Sequence, residues 1–250
     1  MEEQIAVVTG GASGIGAATS ELLGQSGKTV VVADVDAKLG RTHVENLIRR
    51  GIKASFVQTD VSEPTDIQHL VASTIENFGA LDIMINNAGR GAYGPVHELD
   101  ISTFDEIIKL NQYGVFYGLH FASRAMIELG RPGVIVNTSS ASGTLATPSL
   151  FAYNTAKAAV SMMTAAAAHD LAEHDIRVVA VAPGVVETPI TQKYKDKGPE
   201  VERSYLAKHM RRQWIAASEV AETISFLCSE RARAINGSVV QVDDGYVNFK

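Results

Sequence analysis

Ile5-Ala6-Val7-Val8-Thr9-Gly10-Gly11-Ala12-Ser13-Gly14-Ile15-Gly16 stands near the start of the chain and carries the signals from which its architecture is read. The apolar, β-branched run predicts a short buried strand, and the glycines after it predict a sharp turn into a helix. Positions without side chains let the backbone turn tightly and let a pyrophosphate approach the peptide N–H groups. The following helix N-terminus adds roughly half a positive charge, which favours that anion. The glycines fall at 10, 14 and 16 and do not match the G-x-G-x-x-G spacing. A glycine turn at this place can also be purely structural.

Outward from that turn, strand-like and helix-like segments alternate to the end of the chain. Strands are predicted at 5–9, 29–33, 53–58, 81–85, 133–138, 176–182 and 238–242. Helices are predicted at 14–26, 36–50, 65–78, 102–129, 151–174 and 218–230. Runs such as Val30-Val31-Val32 and Val134-Ile135-Val136 are apolar on both faces, which suits a parallel sheet covered on both sides. Strict alternation implies right-handed crossovers and a single-domain α/β fold over 1–250, a Rossmann-type doubly wound parallel sheet of about seven strands with helices on both faces. A (β/α)₈ barrel shares the alternation, but the strand count and the glycine turn after the first strand favour the open sheet. The polar stretch 188–212 breaks the regular spacing, and its length suggests a substrate lid.

Composition narrows the class. The chain has 250 residues, a net charge of −6 and pI near 5.6, which argues against a nucleic-acid partner. A mean hydropathy of +0.05 with no long apolar run argues against a membrane span. Met1-Glu2-Glu3-Gln4 leads directly into an apolar strand, so no signal peptide and a cytoplasmic address are expected. A lone Cys228 excludes an intrachain disulfide, and the seven histidines lack metal-ligand spacing, so no metal is expected.

Five positions carry chemistry. Asp34 ends the second predicted strand about twenty residues past the glycines, where a carboxylate can accept hydrogen bonds from both hydroxyls of an adenosine ribose and would repel a 2′-phosphate. No Arg or Lys in the glycine loop or beside Asp34 offsets it, so NAD is expected over NADP. Tyr153 and Lys157 are one helical turn apart and share a face. An ammonium beside a phenol stabilises the phenolate and lowers a pKa that is ordinarily near 10, although such a pair is also common in helices without function. Ser140 follows the fifth predicted strand and could orient a substrate oxygen toward that phenol. Ser139 and Ser140 read equally as a strand-end turn or a helix cap. Asn111, amid Ile107, Ile108, Leu110, Val115 and Phe116, must find a partner if buried, and could hold a water that relays protons to Lys157.

Together these pieces resemble the short-chain dehydrogenase/reductase family over nearly the whole chain. Gly10, Ser13, Gly14, Ile15 and Gly16 look like its cofactor turn, and Asp60-Val61 like the pair that contacts adenine. Asn86-Asn87-Ala88-Gly89 resembles its NNAG sequence, with Asn87, Ala88 and Gly89 bordering the cofactor. Pro183, Gly184, Val186 and Thr188 resemble the segment that holds the nicotinamide carboxamide. Asn111, Ser140, Tyr153 and Lys157 fall on its catalytic tetrad. The resemblance implies an NAD-dependent oxidoreductase that interconverts a secondary alcohol and a ketone, with Tyr153 as general acid/base and Ser140 polarising the substrate oxygen. Lys157 would lower the tyrosine pKa and bond the nicotinamide ribose, while Asn111 anchors a relay water. It further implies a homotetramer, a dimer of dimers, built on the helices at 102–129 and 151–174. One departure is Val242-Asp243-Asp244-Gly245, where the family often has a glycine pair after Val-Asp.

Other readings use the same residues: an NAD-binding sensor or scaffold without turnover, or a 3-oxoacyl carrier-protein reductase, which Asp34 opposes. A nucleotide-sugar epimerase would want a larger C-terminal domain. The basic residues Lys193, Lys195, Lys197, Arg203, Lys208, Arg211 and Arg212 could attract an anionic substrate or form a solvated face, and Arg90 carries a similar suggestion. Leu145, Leu150, Phe151, Tyr194 and Trp214 could line an apolar pocket or be ordinary packing.

Overall fold

The computed structural model describes residues 3–189, 191–192 and 196–249. Ile190, Lys193, Tyr194 and Lys195, part of the expected lid, lie outside them. The chain runs β1 (Ile5–Thr9), α1 (Gly14–Gln25), β2 (Thr29–Asp34), α2 (Ala37–Arg49), β3 (Ala54–Gln58), α3 (Pro64–Phe78), β4 (Ile83–Asn86) and α4 (Ile101–Ile108). A π-helical turn (Lys109–Tyr113), α5 (Gly114–Glu128), β5 (Gly133–Thr138), α6 (Phe151–Leu171) and β6 (Ile176–Pro183) follow. The remainder is β7 (Val186–Glu187), α7 (Pro199–Leu206), β8 (Ile215–Ala216), α8 (Ala217–Leu227), β9 (Val239–Val242) and a terminal turn of helix, α9 (Tyr246–Phe249).

Seven strands form one parallel sheet in the order β3-β2-β1-β4-β5-β6-β9, the doubly wound arrangement expected. Alternation along each strand divides the core in two. Ile5, Val7 and Val31 face Leu70 of α3, Leu119 of α5 and Val160 of α6. Ala6, Val8, Val30 and Val32 face Leu23 of α1, Leu47 of α2 and Ile224 of α8. Burying each such Leu or Val contributes about 1.5–3 kcal/mol, so a sheet apolar on both faces is stable only between two helix layers. Asp82 locks the amino-terminal edge: its carboxylate accepts from the Ile5 N–H at 2.8 Å and from Arg131 Nε at 3.0 Å.

The order reverses between β1 and β4, and the crevice beyond their carboxyl ends is where an open α/β sheet takes its ligands. Gly10 takes φ +60° there, in the left-handed region. A Cβ on Gly16 would stand 2.0 Å from the Gly10 carbonyl oxygen. The turn and the first residues of α1 therefore pack backbone on backbone.

Two elements differ from the expected helices. The helix expected at 102–129 is interrupted by the π turn around Asn111. Asn111 Nδ2 donates to the Ile107 carbonyl at 3.0 Å, competing for the acceptor that the helical ladder would use, and the turn widens by one residue. The excursion after β6 is pinned at its base: β7 pairs in parallel with β8, Val186 opposite Ile215 and Glu187 opposite Ala216. Between them lies α7.

Candidate active site

A cleft of about 670 Å³ runs along the carboxyl edge of the sheet. Of the residues anticipated for the cofactor, Gly10, Ser13, Gly14, Ile15, Asp34, Asp60, Val61, Asn87, Ala88, Gly89, Pro183, Gly184, Val186 and Thr188 line it, as do Ser140, Tyr153 and Lys157. Gly16 and Asn111 do not. Gly16 lies behind the turn it packs against, and Asn111 lies in the wall, where a Cβ on Gly89 would stand 2.5 Å from its Oδ1 and 3.4 Å from Lys157 Nζ.

Asp34, at the end of β2, is oriented from both sides. One carboxylate oxygen accepts from the Ala12 N–H of the glycine turn and the other from the Asp36 N–H, each at 3.1 Å. The carboxylate thus faces the cleft at a fixed angle and retains acceptor capacity. Asp60 is engaged locally: one oxygen accepts from the N–H and the hydroxyl of Ser62. Asn87 Nδ2 donates to the Thr9 carbonyl at 3.0 Å, and its N–H donates to Thr9 Oγ1 at 2.9 Å, tying β4 to β1 across the switch point.

At the opposite end, β5 and α6 bring the phenol, hydroxyl and ammonium together. Ser140 hydrogen-bonds the Tyr153 phenol. Its hydroxyl also accepts from the Ser142 N–H at 3.1 Å, so the cap reading and the site reading of this serine both hold. Ser139 has the structural role, donating to the Lys157 carbonyl at 2.9 Å. Lys157 is 2% exposed; its Nζ donates to the Thr138 carbonyl at 2.7 Å and stands 5.7 Å from the centre of the Tyr153 ring. Burial pulls its pKa down to about 8.

Here the electrostatics depart from expectation. Withdrawal from water pushes the Tyr153 phenol above its usual value, and only the hydrogen bond from Ser140 works the other way. Lys157 Nζ gives one of its three donors to the Thr138 carbonyl, and in the chain alone burial outweighs whatever lowers the phenol. A phenolate at neutral pH needs further positive charge in the cleft.

Asn111 is fully buried, and Nδ2 donates to the Arg90 carbonyl at 2.9 Å as well as to Ile107. Its Oδ1 is buried without a hydrogen-bond partner. An orphaned acceptor behind Lys157 costs about 1–3 kcal/mol unless something donates to it, which suits a water or a mobile ammonium.

The other charged and aromatic side chains singled out from the sequence have these neighbours, with Arg90 itself on the wall of the cleft. Arg90 pairs with Glu106 at 3.0 Å. Arg211 is bound by Asp244, and Lys208 lies over the rings of Tyr205 and Tyr246. Trp214 donates to Glu202 at 2.8 Å and stacks on Tyr205, so it belongs to the packing of α7. Phe151 is exposed, packed near Phe104. Thr138, Thr191 and Pro189 line the cleft and carry no local signal that would have marked them. Among the described residues no three His, Cys, Asp or Glu side chains are grouped as metal ligands would be, and no helix is long and apolar enough to cross a membrane.

Known proteins resemble the chain over nearly its whole length. The family model described as enoyl-(acyl carrier protein) reductase matches residues 10–247. The chain is 37% identical over 241 residues to a 2,5-dichloro-2,5-cyclohexadiene-1,4-diol dehydrogenase of Sphingobium indicum, covering 96% of this chain and 95% of that one. It is 36% identical over 249 residues to a cyclopentanol dehydrogenase of a Comamonas species, covering 98% of each. The solved actinorhodin polyketide ketoreductase with NADPH superposes with a TM-score of 0.93 at 32% identity, covering 99% of this chain and 98% of that one. The chain belongs to the short-chain dehydrogenase/reductase family and is an oxidoreductase of the alcohol–carbonyl type.

Proposed function

We propose that the protein oxidises secondary alcohols on carbocyclic rings, and reduces the matching ketones, with NAD as cofactor and Tyr153 moving the proton. The reading rests on one observation above all: the Ser140-bonded Tyr153 phenol, with buried Lys157 behind it, lines the same cleft as the oriented Asp34 carboxylate.

The residues fit a dinucleotide. Gly10 to Gly16 offer peptide N–H groups and a helix N-terminus to a pyrophosphate. Asp34 offers acceptors to ribose hydroxyls and repels a 2′-phosphate, which favours NAD although a ketoreductase of the same fold is named with NADPH. Asp60, Val61 and the 87–89 stretch border the adenine side, and Pro183, Gly184, Val186 and Thr188 the nicotinamide side. When bound, the nicotinamide accepts or donates the hydride.

The chain's own groups manage the proton. Ser140 donates a hydrogen bond to the substrate oxygen and aligns it with Tyr153. In oxidation the Tyr153 oxygen takes the hydroxyl proton, and in reduction it returns one. Lys157 offers an ammonium to the ribose and to the phenolate, and Asn111 Oδ1 anchors a water through which the proton leaves. Segment 188–212 closes over the substrate as a lid. The exposed faces of α5 and α6, with Tyr113, Phe116, Ala158 and Ala165, join two copies, and two such dimers make a tetramer. The substrate is a small neutral ring alcohol, as the names of the two dehydrogenases above suggest, and the enzyme works in the cytoplasm.

The test is a panel of cyclic and acyclic secondary alcohols, each with NAD⁺ and NADP⁺, followed by absorbance of the reduced cofactor. Ring alcohols with NAD⁺ should lead. A lead for NADP⁺, or turnover confined to acyclic alcohols, overturns the corresponding half of the proposal.

A further inference from the structure

We infer that His209 is a positioning residue that fixes the strand end at Pro183–Val186 for the nicotinamide half of the cofactor; the inference rests on the dinucleotide reading above. His209 comes from the far side of the excursion, after α7, yet it is fully buried. Its Nε2 accepts from the Val185 N–H at 2.9 Å, and its Nδ1 meets the Gln213 carbonyl at 2.7 Å. A peptide N–H only donates and a carbonyl only accepts. The ring can satisfy both only as the neutral tautomer with its proton on Nδ1.

The neighbouring atoms leave the ring no other place. A Cβ on Gly184 would stand 2.6 Å from His209 Nε2, so the glycine is what admits the imidazole. The edge of the ring meets Tyr246 with centroids 6.4 Å apart. On either side the chain is tied to the C-terminal turn: the Met210 N–H donates to the Asp244 carbonyl at 3.0 Å, and the Arg211 N–H to the Asp244 carboxylate at 2.8 Å.

The consequence concerns Val185, whose flanking residues Gly184 and Val186 line the same cleft as Lys157. Its N–H goes to His209 and its carbonyl accepts from the Ile215 N–H at 3.3 Å. Both backbone groups are therefore consumed by the returning limb of the excursion, leaving the adjoining peptides one orientation toward the cleft. Gly184 is further fixed by donating to the Val242 carbonyl at 3.1 Å. Among the described residues, His209 is the side chain that bonds the Val185 N–H, while Thr191 Oγ1 donates to the Val186 carbonyl at 2.7 Å, so the set of this segment draws on a histidine more than twenty residues away.

Binding of NAD⁺ and of ADP-ribose, which lacks the nicotinamide, separates this role from general support. Calorimetric titration of the wild type, His209→Phe and His209→Gln is paired with thermal unfolding. In His209→Phe, NAD⁺ should bind about tenfold more weakly while ADP-ribose binds as before, a loss of the order expected for one fixed hydrogen bond. His209→Gln, which can still accept and donate, should recover part of the difference. Equal weakening of both ligands, or of neither, overturns the inference while leaving the dinucleotide reading intact. If the Phe variant does not fold, the Gln variant decides by the same comparison. A wild type that binds neither ligand overturns the dinucleotide reading and the inference with it.

Discussion

Replacing Lys157 by methionine should make the protein more stable and catalytically dead, and the gain should depend on pH in a defined way. The side chain is 2% exposed, and burial takes its pKa from 10.5 to about 8. At 1.4 kcal/mol for each pH unit between those values, the charged lysine costs the folded state about 3 kcal/mol below pH 8. Methionine has similar length and no charge. It leaves the Thr138 carbonyl without its donor, which takes back about 1 kcal/mol or more. A folded-state pKa lowered below the unfolded one means that the unfolded chain binds the extra proton between about pH 8 and 10.5. The wild type therefore gains stability across that window and the variant does not. The advantage of Lys157→Met should be largest at pH 7 and smaller by about 2 kcal/mol at pH 9.5. Urea unfolding of both proteins at the two pH values measures it. A difference that stays constant with pH, or grows, would refute the argument that the buried ammonium is the cost.

Four further outcomes are expected. Tyr153→Phe should lose at least a thousandfold in turnover with NAD⁺ affinity unchanged within about threefold, by stopped-flow kinetics and calorimetry, because a phenyl ring cannot move a proton. Asp34→Ala should weaken NAD⁺ by about tenfold and narrow the preference over NADP⁺; unchanged selectivity in paired titrations would remove the acid from the ribose. Asp82→Ala leaves the buried Ile5 N–H without its acceptor and removes one partner of Arg131, and should lower stability by about 1–3 kcal/mol in urea without altering cofactor affinity. Cys228, whose thiol burial pushes up to about 12, should resist iodoacetamide at pH 8 until the chain unfolds; rapid labelling of the native protein would show the site is open.

What could be read from the residues alone follows from how far each interaction reaches. β1 and the glycine turn were legible because strand, turn and helix onset are encoded within a dozen consecutive positions. Asp34 was legible because a strand end places it, whatever lies beyond. Tyr153 and Lys157 share a helical face by spacing alone, yet the direction of the phenol's pKa was not legible. It depends on how far the folded chain withdraws the phenol from water, which elements distant in sequence decide. The π turn was not legible because helical periodicity on either side of Asn111 is unbroken, and it is the amide's bonds to the Ile107 carbonyl and to the Arg90 carbonyl across the gap that accompany the widened turn. His209 was one of seven histidines with no local pattern; its importance comes from Val185 and Gln213 meeting it in space. The departure at Asp244 was visible, but its use was not. At φ +48° it holds a backbone shape that glycine takes more readily, and its carboxylate secures Arg211.

The short parallel ladder between β7 and β8 has a consequence for how such a protein changes over generations. Neighbouring strands lie about 4.8 Å apart, so the excursion leaves and rejoins the domain at almost one point. The entropy of closing a loop rises only slowly with its length. Residues between those two anchors can therefore be exchanged, lengthened or shortened with little penalty to the sheet, provided the histidine and its partners at the root survive. Diversification of this protein toward new compounds would accordingly concentrate in that interchangeable cassette, while the nucleotide-facing half stays as it is.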